Sequence, residues 1–316
     1  MPAITRYAWA VLGYNLLVVA WGAFVRATGA GAGCGKHWPT CNGEVVPRSP
    51  RLETLVEFSH RASTGIAFLA LAVLVAWAFR EFPRGHAARK GSAAALAFMV
   101  LEAAVGAGLV LFGWVARDAS AARPWVMAFH LVNTFLLLAA LALAADWTRR
   151  PGGIAVERRG RAATALGAAA LGVLLAGMTG AIAALGDTLF PSQGLAEGIR
   201  QELSGEGHVL LRLRVLHPFA AILAGVLLLA AARVALAARP DARVRRAAVA
   251  IAGFLALELV AGVANVVLLA PVWLQLVHLL IADLTWIALV LLASATLAPG
   301  GERARAAAVP VAAGAT

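Results

Sequence analysis

Four histidines stand inside apolar sequence: His60 in EFSHRASTG, His130 in AFHLVNT, His217 in LRVLHP and His278 in LVHLLIA. An ionisable side chain within a membrane-length apolar run is costly and usually faces a bundle interior or a cofactor. One such histidine alone reads as an interhelical hydrogen bond. Four of them, two in each half of the chain, fit a different chemistry. Two neutral imidazoles from facing helices are what axial ligation of a haem iron requires, and bundle cores build such sites. Two haem-sized sites follow, one from His60 and His130 and one from His217 and His278. The other histidines, His37, His86 and His208, fall in loops or at an interface.

The neighbours of the two pairs differ in charge. Glu57 precedes His60 by three residues and shares its helical face, whereas Arg214 stands in the same relation to His217. A carboxylate can move protons or stabilise a cation, while a guanidinium can only bind an anion such as a haem propionate. This marks the first pair as the reactive one. The plainer role for Glu57 is a helix N-terminal charge at the interface. Arg26 and Arg61 lie near the outer level of the first pair, where each either binds propionates or snorkels to the surface. Glu102 and Glu258 occupy equivalent intramembrane positions, beside VGAG and AGVAN. They read as protonated packing residues at close helix contacts, with a proton route as the sharper alternative.

The elements that position these groups are spans. With 61% hydrophobic and 14% charged residues and a mean hydropathy of +0.82, the chain holds more apolar sequence than one soluble core buries, so it is an integral membrane protein. Apolar stretches long enough to cross a bilayer run over 7–25, 58–79, 92–115, 125–146, 162–185, 213–237, 246–269 and 273–297. The first is long and lacks a small-residue cleavage site, which predicts insertion without processing, most simply in the plasma membrane of a prokaryote. The net charge of +11 invites a nucleic-acid reading, but its distribution removes it. Most of the 27 basic residues fall in Arg6, Arg80–Lys90, Arg149–Arg161, Arg233–Arg246 and Arg303–Arg305. Both termini and these connections are therefore cytoplasmic, and nucleic acid is not a partner.

Similar segments recur along the chain. WGAFVRATGA matches TGAIAALGDT, LEAAVGAGLVL matches LELVAGVANVV, and AFHLVNT matches LVHLLIA, each pair about 150 residues apart, as in parallel-repeat membrane folds. The expected fold is all-α, with eight transmembrane helices as two four-helix bundles (1–150 and 151–316) related by a pseudo-two-fold axis along the membrane normal. The histidines fall in the second, fourth, sixth and eighth spans, each within about five residues of the outer end, or about 7 Å of depth at the helical rise.

The outer connection RATGAGAGCGKHWPTCNGEVVP holds both cysteines. It is no phosphate loop: His37 stands where a Walker sequence needs Ser or Thr, and Ala30 where it needs Gly. It is no tetrahedral metal site either, since Cys34 and Cys41 lack a second pair. On the oxidising side of a membrane they predict one disulfide, worth about 2–4 kcal/mol of local order, closing a flap that leads to Glu57 and His60.

The sequence VRATGAGAGCGKHWPTCNG, then EFSHRASTG, then one histidine in each later even-numbered span, resembles the haem A synthases (the CtaA/Cox15 family) over nearly the whole chain. The resemblance implies an oxidoreductase that converts haem O to haem A by successive hydroxylations of one methyl group to a formyl group, for aa3-type cytochrome oxidases. It further implies a resident haem b iron on His217 and His278, the substrate haem iron on His60 and His130, and Glu57 as the essential acid. Haem O synthase, oxidase assembly factors, membrane lipid, an electron acceptor such as a quinone and a homo-oligomeric state are the partner expectations. Two departures stand out. The loop between the fifth and sixth spans has no cysteine pair and offers only a short amphipathic interfacial helix around 194–204, and Glu102 and Glu258 stand where Gln is expected. A non-catalytic bis-histidine dihaem subunit linked to quinol would need the same histidines without Glu57. A transporter would need no haem.

Overall fold

The computed structural model describes residues 1–149, 160–203 and 208–298. The expected boundary between residues 150 and 151, Arg150, Arg158, Arg159, Arg303, Arg305 and position 204 lie outside the described residues. Among the described residues the chain is helical, with no strand. The helices are α1 (Ala3–Ala27), α2 (Leu52–Glu81), α3 (Ala87–Leu111), α4 (Ala122–Trp147), α5 (Arg161–Leu189), α6 (Leu195–Leu203), α7 (Val209–Arg214), α8 (Leu216–Ala238), α9 (Ala242–Val267) and α10 (Val272–Thr296). Eight spans of 25 to 30 residues result, α7 and α8 counting as one. At the helical rise the shortest is about 37 Å long, more than a hydrocarbon core of about 30 Å. The chain is a multi-pass membrane protein.

Apolar runs fix the middles of these helices, and local chemistry fixes their ends. The second span starts at Leu52, six residues before the apolar run expected from 58, because Glu53 in the first turn suits the positive end of the helix dipole. The sixth span is interrupted at Val215. Pro218 lacks an N–H, and its ring crowds the carbonyl of Arg214 four residues back, so the helical hydrogen bonding breaks there. Asp241 caps α9 by accepting from the backbone N–H groups of Arg243 and Val244 at 3.0 Å.

Each half packs its helices pairwise, and α4 meets α10 between them. Trp286 on α10 donates its indole N–H to the Phe135 carbonyl at 2.6 Å, with the two rings stacked at 5.5 Å. Gly177 on α5 completes this centre: a Cβ there would lie 2.8 Å from the Phe135 ring. One end of the bundle gathers the start of α1, the end of α4, the start of α9 and the end of α10. Thr5 bonds Thr148 at 2.9 Å, and the buried Asp146 accepts from Ser294 at 2.8 Å and Arg243 at 3.2 Å. Arg239 donates to the Ala298 carbonyl at 2.8 Å at this same end. The cysteine loop lies at the opposite end, against the start of α2 and the α3–α4 connection.

Candidate functional site

The spans run longer at the histidine end than the apolar stretches do, which changes the depth of the histidines. His60, His130 and His217 each lie eight residues beyond the first residue of their span, and His278 lies six beyond. At the helical rise that is about 12 Å for the three and about 9 Å for the fourth, deeper than the apolar runs alone imply.

Close helix contacts hold the rings. A Cβ on Gly22 of α1 would meet the His60 imidazole at 2.9 Å, and one on Gly180 of α5 would meet that of His217 at 3.0 Å. Glycine at these equivalent places lets an imidazole lie on the neighbouring backbone. In the second half the His217 and His278 rings lie near-perpendicular, at 79°, with centroids 6.3 Å apart. Two metal–imidazole bonds of about 2 Å, plus about 1 Å from each nitrogen to its ring centre, span roughly 6 Å. The spacing of this pair matches that sum, so His217 and His278 could together hold a haem iron. His60 and His130 are near enough to act on each other electrostatically.

The Nδ1 partners set which nitrogen is free. His217 Nδ1 lies 3.2 Å from the Ala176 carbonyl, which only accepts, so Nδ1 carries the proton and Nε2 keeps its lone pair. His278 Nδ1 lies 2.8 Å from Glu258, and His130 Nδ1 lies 3.4 Å from Glu102. Neither contact counts as a hydrogen bond, so both are close electrostatic contacts between a carboxylate and a ring nitrogen. Packing alone therefore does not describe Glu102 and Glu258, which meet a histidine in both halves. Their matched places in LEAAVGAGLVL and LELVAGVANVV, each in the span before a histidine span, were a signal in the sequence. Glu102 is also gripped by Asn133 Nδ2 and Thr134 Oγ1, each at 2.5 Å, and Glu258 has no counterpart to either.

Glu57 is 3% exposed, and both of its oxygens are engaged. Oε2 accepts the backbone N–H of Cys34 at 2.8 Å, and Oε1 pairs with the guanidinium of Arg61. Arg61 also donates to the carbonyls of His37 at 2.7 Å and Thr40 at 2.8 Å. The bridge between Cys34 and Cys41 is formed and buried. Thr54 Oγ1 donates to the Gly33 carbonyl at 2.8 Å. Glu57 and Arg61 thus fasten the disulfide loop to α2 on the turns either side of His60, a role that i, i+3 spacing did not reveal.

Of the two other candidate arginines, Arg26 reaches from the first half to the second and Arg214 pairs within the second. Arg26 donates to the Ala184 carbonyl at 2.7 Å, Thr188 Oγ1 at 2.8 Å and Gln275 Oε1 at 2.9 Å, so α1 is tied to α5 and α10. Arg214 pairs with Asp187 at 2.6 Å. The expected interfacial helix is α6, with Leu195 and Ile199 exposed on it. A cleft lined by Arg161, Val234, Ala238 and Leu297 sits at the other end of the bundle, away from the histidines.

Residues 5–290 match the COX15-CtaA family, described as cytochrome oxidase assembly protein. The chain belongs to this family. Among curated relatives, two proteins of Thermus thermophilus named protoheme IX farnesyltransferase are each 49% identical over 305 residues, covering 96% of this chain and 50% of theirs. The heme A synthase of Alkalihalophilus pseudofirmus is 37% identical over 128 residues, 40% of each chain. This assembly-family chain thus spans about half the length of its Thermus relatives.

Proposed function

We propose that the chain is a haem A synthase, oxidising a methyl group of haem O to a formyl group by successive hydroxylations. The observation that carries this reading is the pair of histidine sites built alike but covered differently, with the Glu57-latched loop beside His60 alone. The family match and the heme A synthase relatives support it. His60 and His130 would take the substrate haem and His217 and His278 a resident haem b. When bound, the resident haem supplies one-electron transfer toward an outside acceptor such as a quinone. The first half, 1–150, would be the reactive unit and the second, 151–316, the electron-transfer unit, in a prokaryotic plasma membrane with both termini cytoplasmic.

The residues of the chain supply position, cover and proton handling. At His217 the Nδ1 contact with the Ala176 carbonyl holds the ring and leaves Nε2 free to hold an iron. The disulfide loop keeps water from the outer edge of the first site. With water supplying the oxygen and the outside acceptor taking the electrons, oxidation of a methyl to a formyl group releases one proton per electron, and a proton accepted at Glu57 Oε1 would free Arg61 and loosen the loop as product leaves.

The Thermus name raises prenyl transfer as a second reading. We assign that activity to the part of those relatives outside the match, because paired intramembrane histidines serve no step of prenyl transfer. A haem O synthase is then the expected partner, in the same or a separate chain. The test is co-expression with a haem O synthase in a host lacking haem A, followed by chromatography of the extracted haems. Haem A is expected, and Glu57→Ala should abolish it while haem stays bound to the second pair. Haem O left unchanged by a folded, haem-loaded protein would favour the non-catalytic dihaem carrier.

A further inference from the structure

We propose that Glu102 and Glu258 are positioning residues that set the electron richness of the two haem irons through His130 and His278, and that they do so unequally. The proposal rests on the haem-ligation reading above. Its geometry is the close approach of a carboxylate to the outer nitrogen of each ring; where a ligand histidine donates its outer N–H to such a carboxylate, the carboxylate fixes the tautomer and raises ligand basicity. In both halves the carboxylate comes from the odd-numbered span preceding the histidine and faces Nδ1. Among the described residues His217 has a neutral carbonyl and the Thr179 hydroxyl, at 3.3 Å, in that place, and His60 Nδ1 has no hydrogen-bond partner. Each iron would thus have one carboxylate-backed and one neutral-backed axial ligand.

The inequality lies in what else the carboxylates hold. Glu102 shares its negative charge among Asn133, Thr134 and His130, and its distance to the ring is 3.4 Å. Glu258 stands 2.8 Å from His278, with one oxygen free of any donor. Among the described residues no donor shares its charge, which acts on the His278 imidazole and on the buried carboxyl of Asp283 farther along α10. A carboxylate aimed at the ligand stabilises the ferric iron more than the ferrous, so Glu258 should hold the second haem the lower in potential for its ligand set.

The test is redox titration of the purified, haem-loaded protein, followed in the visible bands of each haem. Glu258→Gln keeps an acceptor at Nδ1 and removes the charge. It should shift the ferric–ferrous equilibrium of the second haem toward ferrous by about tenfold, 59 mV for one electron, with the low-spin bis-histidine spectrum kept. Glu258→Leu removes the acceptor as well and should weaken haem retention by about 10–100-fold. Glu102→Gln should move the first haem by a smaller factor, because Asn133 and Thr134 remain. Glu258→Asp, which keeps the charge, should restore most of the potential. An unchanged potential in Glu258→Gln with haem bound would overturn this proposal and leave the synthase reading standing. A folded chain that binds no bis-histidine haem would overturn both.

Discussion

Gly33→Ala tests whether the disulfide loop is a docked cover. Gly33 has φ −65° and ψ −25°, which any residue adopts, so alanine brings no backbone strain. Its Cβ would stand 2.4 Å from the carbonyl carbon and oxygen of Glu53 and 2.6 Å from the nitrogen of Thr54. All three are backbone atoms of the first turn of α2, and no side chain can rotate away. The loop must lift instead. Lifting separates the Cys34 N–H from Glu57 and Thr54 Oγ1 from the Gly33 carbonyl, each 2.8 Å apart when docked. A hydrogen bond to a charged group contributes about 1.5–3 kcal/mol and a neutral one about 0.5–1.5. The lifted form therefore gains roughly 2–4.5 kcal/mol, raising its population from about 30-fold to about 1,000-fold at ~1.4 kcal/mol per tenfold.

The assay is the rate at which a soluble thiol reductant opens the Cys34–Cys41 bridge, read by trapping the freed thiols. Both cysteines are buried, so reduction has to wait for the lifted loop and tracks its population when opening is fast. Gly65→Ala, in open space on the same helix, is the control and should reduce at the wild-type rate. A Gly33→Ala protein that also reduces at the wild-type rate would refute the docking argument.

Two further substitutions probe the frame. Asp241→Ala removes the N-cap of α9 and should cost about 1 kcal/mol at neutral pH. Partial burial pushes the Asp241 carboxyl up, but the N–H groups of Val244 and Arg243 and the Arg239 guanidinium outweigh this and hold it below the usual aspartate range. Its contribution is therefore complete above about pH 4 and fades as pH falls through the lower folded value, so unfolding curves of wild type and variant should converge in acid. Trp286→Phe keeps the stack on Phe135 and deletes the N–H donor, and should lower unfolding stability by about 1 kcal/mol without changing haem content.

Much of the fold was legible because a bilayer imposes length and apolarity on each span. The eight spans, the Cys34–Cys41 bridge and the helix near residue 195 could all be read in advance. So could the placing of four histidines in alternate spans. Contacts that depend on how one helix is rotated against another could not. Glu102 and Glu258 looked like packing residues because nothing in a single helix says that α3 turns a carboxylate toward the ring on α4. Arg26 is legible as a charge at the outer level of the first pair, but its bonds to α5 and α10, 158 to 249 residues away in sequence, depend on how α1 lies against them. Glu57 was legible as a charged neighbour of His60, but its hold on the loop depends on where Cys34 lands.

The two outer covers differ in the kind of force that holds them. Over the second half, Leu210 packs with Ala128, Ile182 and Leu185, and Leu213 lies against the same cluster. Opening that cover would expose apolar surface, at about 25 cal/mol per Å². The loop over the first half is held largely by polar groups: a backbone N–H on Glu57, two carbonyls on Arg61 and a hydroxyl on Gly33. Water can replace these contacts one for one, so their net worth is small compared with their number. A resident cofactor calls for a cover that stays closed, and a substrate for one that opens in every turnover. On the proposed reading the exchangeable cover lies over the His60 and His130 pair, where haem O must enter and haem A must leave.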